Sequence, residues 1–184
     1  MRPEVFGVMT EGVSAVCAGG IGMMFLVAGI AKLREHDLFL GVLASYRLLP
    51  DWTLEGVAWG LGVLEVAAGV SLLSGLGAPL GGMLAALMLV VFAVAMGVNV
   101  VRGRADLSCG CTPGMKGQRL SWALTLRTLA CVMPALAPVM MMGESGSLLL
   151  QVEGVVSGVA LWLLWQSLRA VDSEAVSLAE SGHA

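Results

Sequence analysis

GAPLGGMLAALMLVVFAVAMGVNVV, residues 77–101, runs from Gly77 to Val101 without a single Asp, Glu, Lys or Arg. A helix needs about 20 mostly apolar residues to cross the hydrocarbon core of a bilayer. This stretch exceeds that length and ends where charge returns, at Arg102 and Arg104. It is too long and too apolar for the half-buried helix of a soluble domain, so the chain is expected to live in a membrane.

Working outward, four more segments meet the same criterion, and spans are expected at about 12–33, 54–75, 77–101, 120–142 and 148–168. Residues 12–31 carry no charge, 56–75 carry Glu65 alone, and 120–143 carry Arg127 alone. The last span is the weakest, with Gln151 and Glu153 in its first turns. Composition agrees: 58% of the 184 residues are hydrophobic and 12% are charged, against about 25% charged in a soluble domain, and the mean hydropathy is +0.89. The predicted fold is all-α, a polytopic integral membrane helical bundle in a single domain over residues 1–169. Residues 170–184, with Asp172, Glu174 and Glu180, read as a short polar tail. A net charge of −3 with no basic stripe gives nucleic-acid binding no support. The N-terminus offers only Arg2 and the amino group before a long apolar run, so it does not read as a cleaved signal peptide.

Five crossings put loop 34–52, loop 102–119 and the C-terminal tail on one side. That side carries Lys32, Arg34, Arg47 and Arg169 together with the loop cations Arg102, Arg104, Lys116 and Arg119, whereas the other carries only Arg2. The positive-inside rule makes the basic side cytoplasmic. Trp52, Trp122 and Trp165 fall near the same surface, as interfacial anchors do. Loop 34–52 holds Leu38, Phe39, Leu40, Val42 and Leu43 and is expected to form a short helix that lids the bundle.

Chemistry concentrates in Ser108-Cys109-Gly110-Cys111-Thr112-Pro113-Gly114. Thiolate is the nucleophile of disulfide exchange, and cations lower a cysteine pKa. Arg102, Arg104, Lys116 and Arg119 therefore suit a redox role for Cys109 and Cys111, which Asp106 partly offsets. A C-x-C disulfide closes only with strain, and strained disulfides are the labile ones; Gly110 supplies the turn. Two other readings stand beside this one. A metal site would need four ligands, of which His36 is the only obvious third, and the two thiols would otherwise be unrelated loop cysteines. No metal is expected. Cys17 and Cys131, in apolar surroundings, read as buried hydrophobes.

Glu65 and Arg127 are ionisable groups within spans, and such groups face the bundle and find partners. Counted from the basic side they lie at similar depth, so an ion pair between them is feasible; Lys32 either joins them or snorkels to the interface. Glycines at small-xxx-small spacing, such as Gly56/Gly60, Gly77/Gly81 and Gly154/Gly158, are expected to let helices approach closely within the bundle.

The ordered motifs Ala28-Gly29-Ile30-Ala31-Lys32-Leu33, Tyr46-Arg47-Leu48-Leu49-Pro50, Gly62-Val63-Leu64-Glu65, Arg102-Gly103 and Cys109-Gly110-Cys111 resemble the methylamine utilisation protein MauE family of DoxX-like membrane proteins, over about residues 20–130. Relatives often continue the last motif as C-G-C-F-G, whereas Thr112-Pro113-Gly114 follows here. The resemblance implies a four-helix DoxX-like core plus a fifth C-terminal span in the bacterial inner membrane. It implies a role in maturing methylamine dehydrogenase, whose exported small subunit is rich in disulfides, beside a thioredoxin-like MauD-type partner. Cys109 and Cys111 would be the exchanging pair, Lys32, Glu65 and Arg127 the buried polar set, and a quinone a second candidate ligand. A non-catalytic export or assembly chaperone and a small-solute transporter are the competing roles. Exchange with an exported subunit requires periplasmic thiols, which opposes the charge count; on chemistry the loop is expected to face the periplasm.

Overall fold

The computed structural model describes residues 3–104, 107, 120–141 and 148–181, with side chains over 7–104, 107, 120–141 and 149–168. It contains α1 (Pro3–Arg34), α2 (His36–Tyr46), α3 (Asp51–Ser74), α4 (Ala78–Val101), α5 (Trp122–Ala130), α6 (Val132–Met140) and α7 (Leu148–Ser181). Among the described residues there is no strand. Five segments are long and apolar enough to cross a membrane: Gly7–Arg34, Asp51–Ser74, Ala78–Val101, Trp122–Met140 and Leu149–Leu168. The protein is an all-α polytopic membrane bundle.

The turns follow from local chemistry. Gly75 and Gly77 adopt φ of 73° and 69°, a region open to glycine without steric cost, and bracket the turn between α3 and α4. Ser71 Oγ closes that turn by donating to the carbonyl oxygens of Leu76 or Gly77, at 2.9 and 3.0 Å. Ser121 caps α5, its hydroxyl accepting from the Leu124 amide at 3.2 Å. The fourth span is broken into α5 and α6 at Cys131. Pro134 has no N–H to give the Ala130 carbonyl, and that missing bond accounts for the interruption there.

α1 is the hub, packing most extensively on α3 and α7, while α4 packs on α3, α5 and α6. Two glycine seams make the α1 contacts close. On the α3 side, Gly22 and Gly29 face Gly69 and Gly62, each pair spaced by seven residues along antiparallel helices. A Cβ on Gly29 would lie 2.9 Å from the Gly62 carbonyl oxygen and 2.8 Å from the Val66 nitrogen. On the α7 side, Gly19 meets the Val155 backbone, Gly154 meets Ala15, and Gly158 meets the backbone of Val16 and Gly20. Gly154/Gly158 and Gly81 thus serve packing inside the bundle, as small residues do where no hydrophobic force separates helix from lipid. Gly56 and Gly60 do not, since nothing lies within 4 Å of either.

α7 has 34 residues, about 51 Å at 1.5 Å per residue, well beyond the roughly 30 Å of a hydrocarbon core. The segment expected as a polar tail therefore continues the helix to Ser181. Residues 170–181 contain neither Gly nor Pro, so nothing in their local propensity stops it.

Candidate functional site

The α1–α3 seam sets Lys32 opposite Glu65. Lys32 Nζ donates to Oε1 and Oε2 of Glu65 at 2.8 and 2.7 Å, and each side chain is only 2% exposed. The ammonium also sits 5.3 Å from the ring centroid of Phe39 on α2 and 5.5 Å from that of Phe92 on α4, so aromatic faces share in balancing the cation. α2 is thus the lid that the sequence suggested, with Phe39 and Tyr46 buried beneath it. Depth along the helices allowed Arg127 to pair with Glu65; Lys32 takes both carboxylate oxygens, and the Arg127 guanidinium lies 4.7 Å from the ring centroid of Trp165 on α7.

Beside the pair opens a cavity of about 540 Å³ between α1, the α5–α6 segment and α7. Its wall includes the polar side chains Lys32, Glu65, Arg127 and Gln166 and the apolar Ile21, Pro134 and Leu161. Cys17 and Cys131, both free thiols, also face it.

The second feature is the base of the cysteine loop. The Leu120 amide donates to the Leu107 carbonyl oxygen at 3.0 Å, so the loop leaves and returns through one neck. That neck packs on Tyr46 and Met96, with Leu120 buried. Arg104 braces it: Nη1 donates to the Tyr46 carbonyl oxygen at 3.4 Å and to Asn99 Oδ1 at 3.5 Å. It therefore ties the end of α2 to α4. Arg102, at the end of α4, is exposed. Cys109, Cys111, Lys116 and Arg119 lie outside the described residues.

His36, weighed above as a third metal ligand, has its Nε2 3.0 Å from Glu55 Oε1 and its ring stacked on Trp59 at 4.6 Å. Sequence reading passed over Phe39 and Phe92 as cation partners, and Asn99 as the anchor for Arg104. Asn99 was findable, being the lone side-chain amide in the charge-free span 77–101.

A helical bundle built on a buried ion pair between α1 and α3, with a cavity beside it, is a small polytopic membrane protein. Residues 10–141 match the family described as methylamine utilisation protein MauE, and the chain belongs to that family. It is 39% identical over 117 residues to the MauE of Paracoccus denitrificans, covering 64% of this chain and 63% of that protein. It is 34% identical over 152 residues to the MauE of Paracoccus versutus, covering 80% of each. The MauE of Methylorubrum extorquens is 33% identical over 113 residues, 61% of each chain. The chain thus spans just under two thirds of the first and third of these relatives and four fifths of the second. No solved structure matches it.

Proposed function

We propose that this protein is a bacterial cell-membrane accessory factor of methylamine utilisation, acting in the maturation of the disulfide-rich small subunit of methylamine dehydrogenase. Cys109 and Cys111 carry out the chemistry by thiol–disulfide exchange. A thiolate of one dithiol attacks the disulfide of the other, a mixed disulfide forms, and the second thiol resolves it, so that two electrons and two protons pass between loop and subunit. A thioredoxin-like MauD-type protein is the exchange partner that returns the pair to its starting state. Lys32, Glu65 and Arg127 hold and line the bundle, while Arg102, Arg104, Lys116 and Arg119 supply the cationic setting that favours thiolate.

The neck carries this reading. Leu107 and Leu120 pin both ends of the loop, and Arg104 braces them against the α2 lid, so the segment bearing the cysteines is presented from a rigid base. Rigid support is what an exchange site needs to meet a folded partner in one geometry. Family membership supplies the pathway.

The test is the double substitution Cys109→Ser, Cys111→Ser in cells growing on methylamine. The altered protein should reach the membrane at the normal level while the dehydrogenase small subunit accumulates unbridged and growth on methylamine is lost. A normal, fully bridged subunit in that strain would overturn the exchange reading and leave the loop as a docking surface.

A further inference from the structure

We propose that the corner where the end of α2 meets the end of α4 holds the headgroup of an anionic phospholipid, its phosphate at Arg47 and Arg102 and its chains over Leu48, Leu49 and Trp52. The corner stands at headgroup level. α3 begins at Asp51 and α4 ends at Val101, and both are membrane spans, so residues 46–52 and 98–104 fall at the edge of the hydrocarbon core. Arg104 draws these two segments together by donating to the Tyr46 carbonyl oxygen at 3.4 Å.

The two segments carry Arg47, Arg102 and Arg104 against Asp51 alone, which leaves two positive charges in excess. Arg47 and Arg102 are exposed, and among the described residues neither guanidinium has an ion-pair or hydrogen-bond partner. Arg47 is moreover held at φ 49°, in the left-handed region that strains a residue with a Cβ. A helix end in this conformation ordinarily takes glycine, so an arginine there points to a use for its side chain. A guanidinium fork matches a phosphate. The neighbours make the phosphate a lipid's: Trp52 is 85% exposed, and Leu48 and Leu49 are also uncovered. Tryptophan rings settle at the headgroup layer, and arginine lays its stem on apolar surface while its head stays in the polar layer.

Trp52 reports the lipid beside it. The full chain is reconstituted into vesicles of fixed composition, mostly phosphatidylcholine with a minor share of phosphatidylglycerol. The same mole fraction of lipid carries brominated chains, drawn from one lipid or the other. Brominated chains quench tryptophan on contact, and the part of the quenching that Trp52→Phe removes belongs to Trp52. Brominated phosphatidylglycerol should quench Trp52 more strongly than brominated phosphatidylcholine, and Arg47→Gln or Arg102→Gln should each reduce that preference by about fivefold. Arg47→Gly separates the cap from the site: relief of backbone strain should raise the unfolding temperature while the preference falls as in Arg47→Gln. Equal quenching by the two lipids would overturn the proposal and leave the arginines as counter-charges to the helix ends. So would a Trp52 that neither lipid quenches, which would set the corner against water or a protein, and so would an Arg47→Gly variant that keeps the preference. The comparison of the two lipids uses the unaltered chain beside Trp52→Phe alone, so it stands even if the arginine variants do not fold.

Discussion

Lys32 and Glu65 meet across the α1–α3 seam with Nζ 2.8 and 2.7 Å from the two carboxylate oxygens, both side chains 2% exposed. Removing one partner of such a pair strands the other charge in a dry site. Breaking a buried pair costs about 3–5 kcal/mol, whereas replacing both partners by apolar groups is often close to neutral. Glu65→Gln and Lys32→Met should therefore each lower the unfolding temperature in detergent and the amount of protein in the membrane. The double variant Lys32→Met, Glu65→Leu should recover most of that loss. A double variant as unstable as either single one would show that the pair does more than cancel charge.

The glycine seam that brings the pair together predicts a sharp contrast between glycines of one chain. Gly29→Ala would put a methyl 2.9 Å from a backbone carbonyl oxygen and 2.8 Å from a backbone nitrogen, and the helices would have to part. Overpacking of this kind costs about 1–3 kcal/mol. Gly60→Ala, with nothing within 4 Å, should be neutral or slightly stabilising, since alanine is the better helix former by about 1 kcal/mol. Thermal unfolding of the two variants side by side checks this, and equal behaviour would argue against the seam.

Much of the fold was legible in the sequence because membrane spans are written in runs of composition. The expected span 77–101 differs from Ala78–Val101 by one residue, and 148–168 from Leu149–Leu168 by one. Lys32 was read as joining Glu65 or snorkelling to the interface, and the choice between the two was not legible. Counting residues gives depth along an axis, and it puts Glu65 and Arg127 at similar depth. Which way each side chain points depends on helix rotation, and the rotation is set by seams such as Gly22/Gly29 against Gly62/Gly69, whose seven-residue spacing the four-residue small-xxx-small pattern does not capture. The break at Cys131 was partly legible, since Pro134 and Pro138 are visible in the chain, but a proline alone does not say whether a span kinks or ends. Of the site, the loop cations were read as one group, while the structure separates them: Arg104 is spent on bracing α2 against α4, and Arg102 is exposed.

That separation gives a test of what Arg104 does. As a brace, its Nη1 alone donates to both the Tyr46 carbonyl and Asn99 Oδ1, a placement fixed by the planar guanidinium head that a compact ammonium on a flexible stem reproduces poorly. Arg104→Lys should then loosen the neck nearly as much as Arg104→Ala, read as faster proteolysis within loop 102–119. Hydrogen bonds to a charged donor contribute about 1.5–3 kcal/mol, and at 3.4–3.5 Å the lower end is expected here. If Arg104 instead acts only by its charge on the thiols, Arg104→Lys should behave as wild type in both proteolysis and thiol reactivity.

The side of the membrane on which the neck lies decides which partner the loop can meet, and the two physical arguments disagree. Lys32, Arg34, Arg47, Arg102 and Arg104 cluster at one end of the bundle, and by the positive-inside rule that end is cytoplasmic. Exchange with an exported subunit needs it outside. Cations that brace a neck or hold a buried carboxylate, as Arg104 and Lys32 do, are placed by structure, so they weigh less as topology signals than free loop charges. The expected result is accordingly rapid labelling of Cys109 and Cys111 in intact cells by a membrane-impermeant maleimide. The protein would carry Cys17→Ser and Cys131→Ser and be reduced beforehand, with a permeant maleimide as the control. Labelling by the permeant reagent alone would place the loop in the cytoplasm or out of reach. The charge count would then stand, direct exchange with a periplasmic subunit would be excluded, and electrons would have to cross the bundle by another carrier.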